Sequence, residues 1–193
     1  VATTISGSSD LALTGTLIQT GTNLTLTTSN TGNTTLGDVA LSNVANRTLT
    51  IAGAGNLTIG GNISDGGTAT ASALIMSGNG TLTLSGANTY GGTTTVNSGT
   101  LALGNSNVTK DSSAITVAGG TLAIGDFSDT VGAVTLSSGS ITGANGTLSG
   151  SSYSINNAAG NSTISAKLGG AGTLTKTGAG NLTMSGNNSY TGT

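Results

Sequence analysis

Apolar residues alternate with small polar residues in short runs along the whole chain. Characteristic runs contain Leu24 and Leu26, Leu57 and Ile59, Leu82 and Leu84, and Leu101 and Leu103. A period of two residues puts successive side chains on opposite faces of a strand, so each run predicts a strand with one buried face. Thr fills many alternate positions, and Gly or Asn closes almost every run, which is typical of short strands joined by tight turns. No stretch follows the helical period of about 3.6 residues, and we expect almost no helix.

Three segments repeat one another without gaps, at offsets of 25 and 100 residues. The clearest repeats are residues 47–68, 72–104 and 172–193. All three copies share the residues that stand in the first copy as Gly53, Gly55, Leu57, Thr58, Gly61, Gly67 and Thr68. Elsewhere the phrase Gly-Thr-Leu returns every 20 to 26 residues or so. This period favours a solenoid over a sandwich or a barrel, because each repeat then forms one coil that buries its apolar side only by stacking.

The predicted fold is therefore all-β: a right-handed single-stranded parallel β-helix (β-solenoid) with about 20–25 residues per coil. Residues 1–193 form one solenoid segment of eight or nine coils, about 40 Å long. We expect Leu57, Leu82 and Leu182 to lie in a thin aliphatic interior with little room for aromatic rings. Outward Thr, Ser and Asn stack in uncharged ladders, and Pro is absent because most amides donate to a neighbouring coil.

Composition excludes several classes of function. Charged residues make up 5% of the chain, and its four cations, Arg47, Lys110, Lys167 and Lys176, are scattered, so no nucleic-acid partner is expected. No apolar stretch is long enough for a membrane helix. His, Cys and Glu are absent, which excludes a Ser-His-Asp triad, Cys-ligated metals and disulfides. We expect no enzyme activity, and no catalytic, cofactor-binding or metal site. Because the chain opens at Val1, we expect it to be a fragment of a longer rod.

The stretch from Gly80 to Gly104, GTLTLSGANTYGGTTTVNSGTLALG, resembles the passenger-associated repeat of bacterial autotransporter passengers. The copy that begins at Gly170 has the same signature. Residues 52–68 form a weaker version, in which Asp65 stands where the other copies have Tyr90 and Tyr190. The resemblance implies a right-handed parallel β-helix on the outer surface of Gram-negative bacteria. Passengers of this kind include adhesins, proteases and cytotoxins, so it implies an architecture and a location rather than an activity.

Two small groups of residues are candidate sites. Asp126 and Asp129, in the sequence Gly-Asp-Phe-Ser-Asp, could supply a weak calcium site, a glycan site or a pair of catalytic carboxylates, but we expect a solvated corner loop. Residues 60–67 resemble a calcium-binding nonapeptide only superficially, because Ile63 stands where Gly is required. Tyr90 and Tyr190 could stack on sugar rings, although we expect them to close the interior.

Two surface patterns have simpler explanations. Thr-X-Thr pairs, as at Thr25 and Thr27, suggest an ice-binding ladder, but Ala102 and Ala123 interrupt it and favour ordinary strand decoration. Asn-X-Ser/Thr sequons, at Asn23, Asn46, Asn56, Asn145 and Asn181, follow from composition and predict no glycosylation.

The sequence therefore predicts an extracellular structural or adhesive rod, on a bacterial surface or released from it. It would act as a stalk, an adhesin, or a fibre or biofilm component. Its expected partners are further copies, stacked end to end into filaments through the solenoid ends, and cell-surface or matrix glycans. The alternative is a carbohydrate-binding β-helix or, with less support, a carbohydrate-degrading one.

Overall fold

The structure, a computed structural model, describes residues 1–42, 45–66 and 71–192, which form twenty strands and no helix. The strands are β1 (Ala2–Gly7), β2 (Leu11–Leu13), β3 (Leu17–Ile18), β4 (Leu24–Asn30), β5 (Thr34–Leu36), β6 (Val39–Ser42), β7 (Thr48–Ala52), β8 (Leu57–Ile59), β9 (Ile63–Asp65), β10 (Ala73–Met76), β11 (Thr81–Leu84), β12 (Thr94–Val96), β13 (Thr100–Leu103), β14 (Ile115–Gly125), β15 (Asp129–Gly143), β16 (Thr147–Ile155), β17 (Asn161–Ile164), β18 (Lys167–Gly169), β19 (Thr173–Lys176) and β20 (Asn181–Met184). Within these ranges, nothing helical could cross a membrane.

The strands pair in parallel and stack in three columns of strands, which confirms the predicted solenoid of about eight turns. The first stack contains β1, β4, β7, β10, β12, parts of β14, β15 and β16, and β19. The second stack contains β2, β5, β8, β11, β13, other parts of β14 and β15, β17 and β20. The third contains β3, β6 and β9 and, further along, the starts of β15 and β16, and β18. The right-handed sense of coiling stays a prediction.

The aliphatic interior is confirmed. Leu57 pairs with Leu82, and Leu82 with Leu101, so equivalent leucines lie directly on one another. The three side chains are at most 1% exposed. Leu182, in the last coil, packs against this core and is partly buried. Stacking removes each apolar face from water, which a single coil could not do alone.

The last repeat copy has a different register from the one that its sequence predicts. Met184, rather than Leu182, continues the column that contains Leu57 and Leu82, while Leu182 pairs with Ser162. That column runs through Leu57, Leu82, Leu101, Leu122, Ile141, Ile164 and Met184. Its steps vary from 19 residues, between Leu82 and Leu101, to 25, between Leu57 and Leu82. The repeat offset of 100 therefore identifies similar positions without identifying stacked ones.

The outward Thr residues form ladders on two different stacks. On the first stack the middle outward column contains Ala2, Thr25, Thr50, Ile75, Thr95, Thr116, Thr135, Ser154 and Thr175. Ala102 and Ala123 pair on the second stack. The interruption that the sequence predicts at these alanines therefore affects the second stack, whereas the column on the first stack has no hydroxyl at Ala2 and Ile75.

Candidate functional site

The third stack combines apolar side chains with three hydrogen-bonding ones at its inward positions. Its inward positions, in coil order, are Leu17, Val39, Ile63, Asn88, Val108, Asp129, Leu148, Leu168 and Asn188. Three members of this column, Asn88, Asp129 and Asn188, have hydrogen-bonding side chains. We call the column the polar corner, and it contains one of the two carboxylates singled out in the sequence.

Asn88 connects three successive coils through its side chain. Its Oδ1 accepts a hydrogen bond from the Ile63 amide at 2.7 Å, and its Nδ2 donates one to the Val108 carbonyl at 2.7 Å. The residue is 4% exposed, so both bonds lie away from solvent. Asn188, in the last coil, accepts from the Leu168 amide at 2.9 Å in the same manner. At Asn88 the side chain adds to backbone pairing, since the Asn88 amide also donates to the Val108 carbonyl at 3.0 Å.

Asp129 is buried, contrary to the expected solvated corner. It is 2% exposed, and its Oδ2 accepts hydrogen bonds from the Thr109 amide at 3.0 Å and the Thr109 hydroxyl at 3.1 Å. Its Oδ1 is buried without a hydrogen-bond partner. Burial raises the pKa of the Asp129 carboxyl to about 6, against the opposing effect of the Thr109 hydrogen bonds. The prediction failed because Asp129 already belongs to the strand that follows the corner.

Asp126, by contrast, is exposed at the corner and accepts a hydrogen bond from Asn145 Nδ2 at 2.7 Å. One carboxylate thus lies in solvent and the other inside the coil, so the structure does not combine them into a site that one ligand could reach. Across the described ranges, no group of three or more His, Cys, Asp or Glu side chains could hold a metal ion.

Tyr90 lies inside the solenoid and closes the interior, as expected. It is 1% exposed, and its hydroxyl is 2.6 Å from Thr94 Oγ1. Burial raises the pKa of Tyr90 to about 12. Asp65, which replaces Tyr in the first copy, instead accepts hydrogen bonds from the amides of Gly91 and Ser72 at 2.9 and 3.3 Å. A ring buried to this degree is unavailable for stacking on a sugar.

Tyr190 is partly exposed and packs on a tyrosine that the sequence analysis did not single out. Its ring lies 5.9 Å from that of Tyr153, at an interplanar angle of 52°. Tyr153 is 1% exposed, and its hydroxyl accepts from the Gly150 amide at 2.6 Å and donates towards the carbonyls of Leu148 and Gly169. The signal that could have found it is its inward position in the alternating run Tyr153 and Ile155.

The sequon asparagines have a structural use. The side-chain oxygens of Asn23, Asn46 and Asn56 each accept a hydrogen bond from the amide 25 residues later, at Thr48, Ala71 and Thr81, over 2.9 to 3.0 Å. Asn181 donates to Asn161 Oδ1 at 3.1 Å. These contacts connect neighbouring coils at their corners, which explains the recurrence of Asn before the strands.

The end coils expose surfaces that are buried inside the rod. At the first coil Val1, Leu13 and Ile18 are 77%, 45% and 63% exposed. A depression of about 450 Å³ lies between Leu13, Leu17 and Leu36. At the last coil Leu182, Met184 and Tyr190 are partly buried, whereas Leu82, Leu84 and Tyr90 of the earlier repeat copy are buried. In the first and last coils of this segment, apolar side chains are therefore less covered than their counterparts inside the rod.

Comparison with known proteins agrees with the repeat analysis. No curated protein and no solved structure matched the chain. Residues 74–103 and 174–193 match the passenger-associated-transport-repeat family. The first match runs from β10 to the end of β13, and the second contains most of β19 and all of β20, so both consist of stacking coils. The chain is thus a β-solenoid rod with two segments similar to passenger-associated transport repeats, that is, a rod like those of autotransporter passengers.

Proposed function

We propose that the chain is a structural segment that acts outside the cell, as a spacer or adhesive stalk on a bacterial surface or in a released protein. The observation that carries the proposal is that both repeat matches coincide with coils of one sparsely charged rod. A rod of eight turns at about 4.8 Å per turn separates its two ends by about 40 Å. Stacked coils give this length without a wide hydrophobic core.

The same proposal includes the absence of enzyme activity. Its support is that Asp126 faces solvent while Asp129 is buried, so these neighbouring carboxylates do not form the pair that glycoside hydrolysis uses. Glycan binding, the alternative, has less support than the sequence suggested because Tyr90 is buried and Tyr190 packs on Tyr153. A glycan array and a reducing-end assay test these two alternatives.

Removing one coil should shorten the rod and preserve its fold. Leu24, Leu49 and Leu74 stack at intervals of 25 residues, so deletion of residues 49–73 puts Leu74 directly onto Leu24. We expect a folded protein whose maximum dimension in small-angle X-ray scattering is about 5 Å shorter. Deleting only residues 49–60 removes half a coil, displaces the stacks and should abolish the fold.

Two results would overturn the spacer proposal. The first is loss of folding in the full-coil deletion, which would show that the coils are not exchangeable units. The second concerns location: antibodies against the chain should label intact cells of the source bacterium or detect the protein in the medium. Detection only after cell lysis would contradict an extracellular role.

A second candidate function is end-to-end assembly. Its support is the contrast between two copies of one repeat: Leu82 and Tyr90 are covered by the next coil, whereas Leu182 and Tyr190 at the same repeat positions are partly exposed. The first coil of another copy offers a parallel strand, β1, together with Leu13 and Ile18. Such a joint would continue the existing stacks and cover exposed strand edges at both ends.

The register of the joint follows from the first stack. Its outward column starts at Ala2, continues through Thr25 and ends at Thr175. Continuation of the stack therefore puts Ala2 of a second copy over Thr175. Paired strands in a sheet lie about 4.8 Å apart, which is within the Cα separation of about 4.4–6.8 Å that a disulfide accepts.

Cysteine pairs test this joint directly, because the chain contains no Cys. The double variant Ala2→Cys with Thr175→Cys should form dimers, trimers and longer ladders on oxidation, visible on non-reducing gels and dispersed by dithiothreitol. The control, Ser6→Cys with Thr175→Cys, displaces one thiol along β1 by about 13 Å and should stay monomeric. Monomers in both variants, or equal cross-linking in both, would refute the assembly.

A further inference from the structure

Asp129 is enclosed within the polar corner. Below it lies Thr109, which is 4% exposed and donates to Oδ2 through both its amide and its hydroxyl. Above it, Asp129 pairs with Leu148, which is fully buried. The second carboxylate oxygen, Oδ1, is buried and has no hydrogen-bond partner. This side chain therefore occupies a column position that the neighbouring coils fill with Val108 and Leu148.

Within residues 1–42, 45–66 and 71–192, no cation is paired with this carboxylate. The titratable groups nearest in the fold are Tyr90, a buried phenol whose interaction with Asp129 is repulsive when both are charged, and Asp126, an exposed carboxylate in the preceding corner. Lys110 and Asp111 follow Thr109 and are exposed, and Lys167 pairs with Thr147, next to Leu148. Among the residues that the structure describes, none of these groups forms an ion pair with Asp129 or donates a hydrogen bond to it.

Charge on such a group is costly. A buried carboxylate without a counterion loses its hydration, and the Thr109 hydrogen bonds, together with the smaller favourable effect of the Thr130 and Val108 backbones, offset only part of that loss. Protonation removes the charge, and the Thr109 amide can still donate to Oδ2. The stacking of the coils around Asp129 is therefore more favourable with a neutral side chain than with a charged one.

We propose that protonation of Asp129 stabilises the rod. The coils that contain Val108, Asp129 and Leu148 are held together more strongly in acid, when Asp129 is neutral, and less strongly at neutral and alkaline pH, when it is charged. The direction of this pH dependence follows from the raised pKa of Asp129. The pKa of Asp129 in the folded protein is about 6, above its ordinary value of 3.8. The stabilisation by the neutral form is thus fully present below about pH 3.8, and it is lost as the pH rises through about 6. Two pKa units correspond to an approximately 100-fold change in the ratio of folded to unfolded protein.

The test compares unfolding by urea across pH 4 to 8 for the full chain and two variants. Asp129→Asn keeps the shape and removes the charge, whereas Asp126→Asn removes the exposed carboxylate three residues away. Between pH 4 and 8, the folded-to-unfolded ratio of the native protein should fall by about 60-fold more than that of Asp129→Asn. Asp126→Asn should follow the native protein. Parallel pH profiles for the native protein and Asp129→Asn would overturn the proposal.

A second measurement keeps the proposal testable if Asp129→Asn does not fold. Carbon-13 NMR of aspartate-labelled native protein reports the titration of each carboxyl group separately, and sequential assignment identifies Asp129 without a variant. A titration midpoint for Asp129 near pH 6 supports the proposal, because stabilisation by protonation requires the neutral carboxyl group to persist in mild acid. A midpoint below about pH 4.5 would show that the carboxylate is adequately stabilised and would refute it.

Discussion

Replacing Leu82 by Ala is expected to lower the free energy of unfolding by about 3 kcal/mol, because the substitution leaves a cavity inside the aliphatic column. Leu82 is fully buried and lies between Leu57 and Leu101, which pair with it from the coils on either side. The surrounding coils cannot collapse onto the gap without disturbing their backbone hydrogen bonds. Urea unfolding followed by circular dichroism at the strand band measures the loss.

The matched control is Leu182→Ala. Leu182 stands at the same position of the repeat, but it belongs to the last coil, is partly buried and pairs with Ser162. Its replacement should cost about 1 kcal/mol, because it removes less apolar contact and leaves the site open to solvent. If the two variants lost the same free energy of unfolding, burial between two neighbouring coils would add no stability, and the explanation given for Leu82 would be wrong.

Gly139→Ala is expected to destabilise the protein by about 3 kcal/mol or more. Gly139 has a φ of 86°, in the left-handed region that side chains disfavour, and a Cβ there would overlap the carbonyl oxygen of Gly120 in the coil below. The substitution therefore combines backbone strain of about 1–2 kcal/mol with a clash that only a backbone shift can relieve. The clash lies between stacked coils, so the loss should affect the whole rod.

Gly125→Ala separates the two contributions. Gly125 also has a positive φ, of 57°, but nothing lies within 4 Å of the position that a Cβ would occupy. This variant should lose only about 1 kcal/mol, from the backbone strain alone. Thermal unfolding of both variants under one set of conditions measures the difference. If Gly125→Ala lost as much stability as Gly139→Ala, the close approach of the coils would not be the cause.

Much of the fold could be predicted from local pattern. The alternation in runs such as Leu82 and Leu84 indicates which side chains point inward, because successive side chains of a strand lie on opposite faces. The recurrence of Gly-Thr-Leu at intervals of about one coil indicates stacking, because coils of similar length place similar residues on top of one another. For the same reason the Tyr90 position could be predicted to close the interior.

The candidate site was less predictable because neighbours across coils do not lie at a constant sequence offset. Thr109 and Asp129 meet across 20 residues, whereas Asn23 and Thr48 meet across 25. Corner lengths therefore decide whether a residue such as Asp129 belongs to a loop or to the following strand. The partner of Leu182 was misjudged for the same reason, since the intervening coils together add two residues to the repeat offset.

The amino-acid order alone establishes an all-β rod of stacked coils, with an aliphatic interior, a sparsely charged surface and a resemblance to passenger repeats, because these depend on periodicity and composition. The tertiary structure decides which side chains meet between coils: the enclosure of Asp129 over Thr109, the bridging by Asn88, and the separation of the Thr ladders onto two stacks. These contacts join residues far apart in the chain, and their alignment depends on the length of every corner between them. The alignment of the coils therefore decides how deeply Asp129 is buried, and its burial decides how unfavourable its charge is.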